Sequence, residues 1–180
     1  MQRTVKYIIF ALFVTFFLTS CGDGVSLQRY FVDNQESKNF ISQDVPLSMI
    51  EIDQSRFNEE QREAYESVNR LNFLAYRAND TNIGSYNTEL SKVNSILKHK
   101  KYNDLIEFND KGNKVVVKYI GDNEEAEEVV VFANANNLGF AIVRVLGNNM
   151  SPDKMVTLVS ALRDSDFQAN QIKDIMNFFK

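Results

Sequence analysis

The sequence predicts a single α+β domain: an antiparallel sheet with a four-stranded C-terminal meander and helices packed mainly on one face. Three observations carry this. From Asp104 onward, four segments rich in Val, Ile, Phe and Tyr follow one another. Their separators are too short for a crossover helix, so successive strands are neighbours and antiparallel. Before and after this stretch the apolar residues recur at helical spacing instead.

Residues 1–20 are set apart from the fold. Arg3 and Lys6 precede an apolar run from Tyr7 to Leu18 that only Thr15 interrupts. A basic start and a short apolar run have the form of a secretory signal; a spanning helix needs roughly 20 residues. The run ends in Leu18-Thr19-Ser20-Cys21, which resembles the bacterial lipobox. The expected consequence is cleavage between Ser20 and Cys21, with diacylglycerol on the Cys21 sulfur and palmitate-type acylation of its freed amine. One acyl chain gives marginal membrane binding and two give stable anchoring, at roughly 0.8 kcal/mol per buried CH₂. Residue 22 is Gly rather than the Asp that retains enteric lipoproteins at the inner membrane. Gly22-Asp23-Gly24 also lacks an acidic cluster of the kind that marks surface export. The expected location is the periplasmic face of the outer membrane, with residues 21–26 as a lipidated tether and 27–180 as the domain.

Residues 21–180 number 160, which suits one domain. Cys21 is the sole cysteine, so no intramolecular disulfide forms even in an oxidising compartment. Removing Arg3 and Lys6 leaves 18 basic against 24 acidic side chains, a net charge of −6. That disfavours nucleic acid and anionic lipid as partners.

Leu27, Tyr30 and Phe31 fall at helical spacing and predict a helix over 26–36. Phe40 to Val45 reads as a strand. Pro46 opens a short helix over Leu47 to Ile52. Asn58-Glu59-Glu60-Gln61 resembles a capping box, with acids where the helix dipole favours them. Ala64, Val68 and Leu71 then form a stripe, predicting a helix that ends near Arg70 and a strand over Asn72 to Arg77. A loop follows over 79–84. Ser85 is placed to cap a helix whose Tyr86, Leu90, Val93 and Leu97 make the clearest helical stripe in the chain. Its end, Lys98-His99-Lys100-Lys101, puts cations at the negative end of the dipole. The meander strands span Leu105–Asn109, Lys114–Ile120, Glu128–Asn134 and Phe140–Leu146. Ser151-Pro152-Asp153 is a cap, a first-position proline and an acid. It starts a helix with Met155, Leu158, Val159 and Leu162 on one face. A final helix carries Ile172, Ile175, Met176 and Phe179.

The chemistry-bearing residues are few. His99 is the only histidine, so a multi-histidine metal site is excluded, and it reads as a helix-terminal surface residue. With Cys21 carrying lipid, no thiol nucleophile remains. No G-x-S-x-G elbow, Walker loop or dinucleotide fingerprint occurs. The acidic run Asp122-Asn123-Glu124-Glu125-Ala126-Glu127-Glu128 lacks the internal glycine of a calcium loop. It reads as a solvated hairpin tip that blocks edge pairing. The basic run Lys98–Lys101 fits dipole complementarity, with an anionic partner or lipid headgroup as the alternative. No catalytic, cofactor-binding or metal residue is assigned.

The signal ending at Cys21, the Phe40–Val45 segment, the Asn72–Arg77 strand after an acidic helix, the Glu128–Leu146 hairpin and the Ser151-Pro152 helix start together resemble a known group. It is the small bacterial envelope lipoproteins of domain-of-unknown-function family 4252. The resemblance implies no reaction, cofactor or ligand, and no functional residue carries over. The family's genes are often associated with extracytoplasmic sigma-factor operons, which implies a role in envelope stress or assembly. Three functions are therefore set against one another. The first is a non-catalytic anchored lipoprotein that binds an envelope protein. The second is a carrier of a small apolar or lipidic ligand, which needs an apolar cavity. The third is a carboxylate-dependent hydrolase of envelope polymers, which needs two acids of unequal pKa across a cleft.

Overall fold

The computed structural model describes residues 26–164 apart from 51, 111–112 and 136–137. The signal segment, Cys21 and the expected final helix over Ile172 to Phe179 lie outside the described residues.

Helix α1 (Leu27–Asn34) starts where Ser26 accepts a hydrogen bond from the Arg29 amide through its side chain. Strand β1 (Phe40–Pro46) follows, then 3₁₀ turns at Leu47–Met49 and Gln54–Arg56. The short helix expected over 47–52 is thus a single turn. Helix α2 (Glu59–Glu66) has the expected capping box: Asn58 Oδ1 accepts from the Gln61 amide at 2.8 Å, and the Asn58 amide donates to Gln61 Oε1 at 3.0 Å.

Helix α2 stops at Glu66, short of the Arg70 expected, and β2 (Val68–Arg77) begins at Val68 rather than Asn72. Two contacts end the helix. The Ser67 hydroxyl donates to the Ala64 carbonyl at 2.7 Å, and the Ser67 carbonyl accepts from the Asn148 amide at 2.9 Å. Gly147 permits that approach, since a Cβ there would lie 2.0 Å from the Ser67 oxygen. Strand β2 then gains a ladder on each side, with β1 and with the last strand. This outweighs a helical continuation through Val68 and Leu71.

Helix α3 (Ile83–Leu97) begins two residues ahead of Ser85, with Asn82 at the cap position expected of Ser85. The Asn79 side chain accepts from the Thr81 and Asn82 amides and closes the loop before it. The meander comprises β3 (Asn103–Asp110), β4 (Asn113–Gly121), β5 (Ala126–Asn134) and β6 (Gly139–Met150), and α4 (Pro152–Asp164) closes the described chain. The sheet has six strands in the order β1-β2-β6-β5-β4-β3, every adjacent pair antiparallel. The chain therefore passes from β2 to the far edge through α3 and meanders back.

The α+β class and the meander are as expected; the distribution of helices differs. Helices α1 and α3 cover one face over a core that includes Leu27, Phe31, Leu74, Tyr76, Val93, Leu97, Phe132, Phe140 and Ile142. Helices α2 and α4 pack together on the other face, over Ala64, Val117, Tyr119, Val129, Met150, Met155 and Leu158. The reason lies in the strands. Val115-Val116-Val117 and Val129-Val130-Val131-Phe132 are apolar at both parities, so both faces need cover. The first core is strongly aromatic: Phe40 meets Tyr76 edge-on at 5.0 Å, and Tyr76 stacks on Phe140 at 5.6 Å.

Candidate functional site

Polar chemistry gathers at several places among the described residues, foremost a buried ion pair, the end of the sheet near the start of α1, and the β1 edge.

The ion pair was not visible in the sequence. Glu128 and Arg144 are diagonal neighbours on β5 and β6, where Val130 faces Arg144 and Glu128 faces Leu146. Arg144 Nε donates to Glu128 Oε1 at 2.8 Å and Nη2 to Oε2 at 2.6 Å, a two-pronged pair. The side chains are 12% and 10% exposed. Helix α1 covers the pair, with the Phe31 ring 5.4 Å from the guanidinium carbon. Burial alone would lower the Arg144 pKa, but the hydrogen bonds and charge of Glu128 raise it instead. Tyr102 lies near both charges. Burial raises the pKa of its hydroxyl, countered in part by the Leu27 amide, which donates to that oxygen at 3.2 Å. With each charge answered by the other, the pair is a structural clasp. An acid at the parity of Val130 and Phe132 in one apolar strand and a lone arginine in the next were the available signal.

The acidic run is thus divided. Asp122 to Glu125 form an exposed tip, and Asp122 Oδ1 accepts from the Glu124 and Glu125 amides at 2.8 and 2.9 Å. Those bonds hold the Asp122 carboxyl below its ordinary pKa. Glu128 departs from the solvated reading, because alternation turns it to the face of Val130 and Phe132. Among the described residues no group of three or more His, Cys, Asp or Glu side chains is placed to hold a metal ion.

His99 lies in the exposed turn after α3. Its amide donates to the Ile96 carbonyl at 3.0 Å, and its Nδ1 accepts from the Lys101 amide at 3.4 Å. The turn adjoins the β4–β5 tip, since Asn103 Nδ2 donates to the Gly121 carbonyl at 3.1 Å. Between them is an open depression of about 490 Å³ lined by Lys100, Lys101, Ile120, Asp122, Glu125 and Glu127. A second, of about 420 Å³, lies where α2 meets the end of β6, lined by residues that include Glu63, Ser67, Asn149 and Lys154. Glu63 pairs there with Lys154.

Tyrosines supply further buried polar groups among the described residues. Tyr30 Oη donates to Glu89 Oε2 at 2.7 Å, and Glu89 also takes Lys92 at 2.7 Å. Burial and the adjacent carboxylate push the Tyr30 hydroxyl well up. Tyr86 Oη donates to Asn134 Oδ1 at 2.6 Å, tying α3 to β5.

At the sheet margins, β3 is bulged between Asp104 and Ile106, and Asp104 and Glu107 pair with Lys118 and Lys114 on β4. Strand β1 pairs with β2 in unbroken register from Phe40 to Pro46, and Ser42, Gln43 and Asp44 are exposed. Among the described residues no strand pairs with its outer side. The Arg77 amide donates to the Asn39 carbonyl at 3.1 Å. Alternation from that pair directs the backbone groups of Ser42 and Asp44 away from β2. Pro46 falls at the same parity, where its missing N–H costs the ladder nothing.

Among the described residues no helix is long and apolar enough to cross a membrane. No curated protein and no solved structure matches the chain. A family model, domain of unknown function (DUF4252), matches residues 30–158 of the 180. That span takes in the clasp and all six strands, and the chain belongs to the DUF4252 family.

Proposed function

We propose that this protein is a membrane-anchored envelope lipoprotein, held by lipid on Cys21, that binds a protein partner by strand addition at the β1 edge and performs no catalysis. The β1 edge is the observation that carries the binding reading. It offers a regular, exposed strand with outward backbone groups at Ser42 and Asp44, the form that an extended peptide extends by main-chain hydrogen bonds. The lipobox at Leu18–Cys21 supports the anchor, and a role in envelope stress or assembly accords with it.

The two alternatives find less support. Both depressions are open and lined largely by charged and polar groups, whereas an apolar ligand needs an apolar enclosure. A hydrolase needs a carboxyl group shifted upward. Among the described residues the shifted carboxyl groups, Asp53 and Asp122, both move downward under hydrogen bonds from neighbouring residues.

The test is crosslinking of the native protein in intact cells, beside Ser42→Pro and Cys21→Ala forms. Ser42→Pro removes an outward donor and leaves the β1–β2 ladder intact. One dominant adduct that Ser42→Pro abolishes, at unchanged protein level and thermal stability, is the expected result. An adduct indifferent to Ser42→Pro removes the β1 edge from the reading.

A further inference from the structure

We propose that the end of the domain nearest Cys21 is a bilayer-docking face for zwitterionic phospholipid. Lys98, Lys100 and Lys101 meet the headgroup phosphates, and Asp122, Glu125 and Glu127 meet the headgroup ammonium groups. The inference rests on the anchor proposed above and adds an orientation and a headgroup chemistry to it.

The orientation follows from chain length and one hydrogen bond. Five residues separate Leu27 from Cys21; the six extended steps between them reach at most about 22 Å. The start of α1 therefore cannot lie further than that from a lipidated Cys21. The headgroup layer occupies roughly 5–8 Å of each leaflet, so this end of the domain stays close to it. What accompanies the start of α1 is fixed by the Leu27 amide, which donates to Tyr102 Oη at 3.2 Å. Tyr102 directly follows the Lys98–Lys101 turn, and Asn103 ties that turn to the β4–β5 tip. The lysine turn and the acidic tip thus share the end from which the tether leaves.

The cations at this end are available. Lys92, Lys114, Lys118 and Lys154 each pair with a carboxylate. Among the described residues, Lys98, Lys100 and Lys101 have no carboxylate partner, and Lys101 lies 5.2 Å from the Tyr102 ring centroid. Glu127 is exposed and lines the same depression as Lys100 and Lys101. Cations and carboxylates side by side match the paired phosphate and ammonium of phosphatidylethanolamine. A strongly anionic surface would repel the acidic wall and a domain of net charge −6.

The experiment uses the full chain purified from bacterial membranes in detergent, with its intact mass read for lipid on Cys21. It is then placed in vesicles of phosphatidylethanolamine and phosphatidylcholine. Brief amine acetylation, read lysine by lysine by mass spectrometry, compares vesicles with detergent. Lys98, Lys100 and Lys101 are expected to react severalfold more slowly in vesicles. Lys38 and Lys114, at the opposite end of the sheet, are expected to react at unchanged rates. Equal rates at all five lysines in a lipidated chain overturn the docking face and leave the anchor standing. Protection confined to vesicles rich in phosphatidylglycerol overturns the zwitterionic match. A mass without lipid overturns the anchor, and the inference falls with it.

Discussion

Replacing Arg144 with Met removes one half of the clasp beneath α1 and leaves Glu128 among apolar neighbours. Both side chains are about nine-tenths buried, so solvent screens little of the loss. Truncating one partner of such a pair costs about 3–5 kcal/mol. At about 2–4 °C per kcal/mol for a domain of this size, Arg144→Met melts roughly 10 °C lower than the parent. Glu128→Leu leaves an arginine that cannot shed its charge, and costs a similar amount. The double variant Glu128→Leu/Arg144→Met buries no charge and has good apolar neighbours in Val130 and Ile142. It is expected within about 1 kcal/mol of the parent, and more stable than either single variant. Urea denaturation of all four proteins at pH 7, followed by circular dichroism, closes the cycle. A single variant within about 1 kcal/mol of the parent would show that α1 does not seal the pair from water. A double variant no better than the singles would show that the loss lies in packing around Phe31 and Tyr102, and the electrostatic account would be refuted.

Asn58→Ala removes the capping box of α2 and is expected to cost about 1 kcal/mol in the same urea assay, whereas Asn58→Asp should keep most of it. Gly139 has φ 131°, and a Cβ there would lie 1.9 Å from the Tyr76 carbonyl oxygen; Gly139→Ala is expected to cost about 2 kcal/mol or more, seen as a lower melting temperature. The Tyr30 hydroxyl has a folded pKa raised above its ordinary 10.0, by burial first and then by Glu89. Its contribution is therefore fully present below pH 10 and falls as pH rises beyond that, because the unfolded chain ionises first. Tyr30→Phe should be less stable at neutral pH by about 1 kcal/mol and lose part of the alkaline decline, as measured by melting temperature against pH.

The elements legible in the sequence are those where one period fits and no other does. Tyr86, Leu90, Val93 and Leu97 lie at intervals that only a helix aligns, and all four pack into one core. The meander was legible from its turns, because a few polar residues between apolar runs leave room for nothing but a hairpin. The start of β2 was not. Ala64, Val68 and Leu71 satisfy a helical stripe, yet Leu71 also shares a sheet face with Phe73 and Ala75, and local pattern cannot choose between the two. The choice is made by β1 and β6, which supply ladders on both sides. The burial of both sheet faces was written in the unbroken valine runs of β4 and β5, which a reading based on strand length passes over. Glu128 illustrates the limit at the level of a site. Its neighbours in sequence place it in an acidic tip, whereas its partner stands sixteen residues away and is found only through the β5–β6 register.

The two edges of the sheet face the same hazard of pairing with another chain, and the sequence handles them differently. Strand β3 has a bulge at its start, two acids paired across to β4, and contacts from α4. The bulge and the helix contacts discourage a further strand. Strand β1 has an exposed acid, Asp44, whose salt bridge reaches Arg70 on β2 at 3.6 Å, inward along the sheet. Its proline stands at the last position, where it shortens the edge without interrupting it. An edge selected only against aggregation would be expected to resemble β3. Protection of one edge and regularity of the other favour β1 as the place where another chain is admitted. The anchor proposed at Cys21 would make that encounter selective, since the domain would meet only partners within reach of the same membrane surface. Tethering raises the effective concentration of such partners into a range where a short strand, weak by itself, binds usefully.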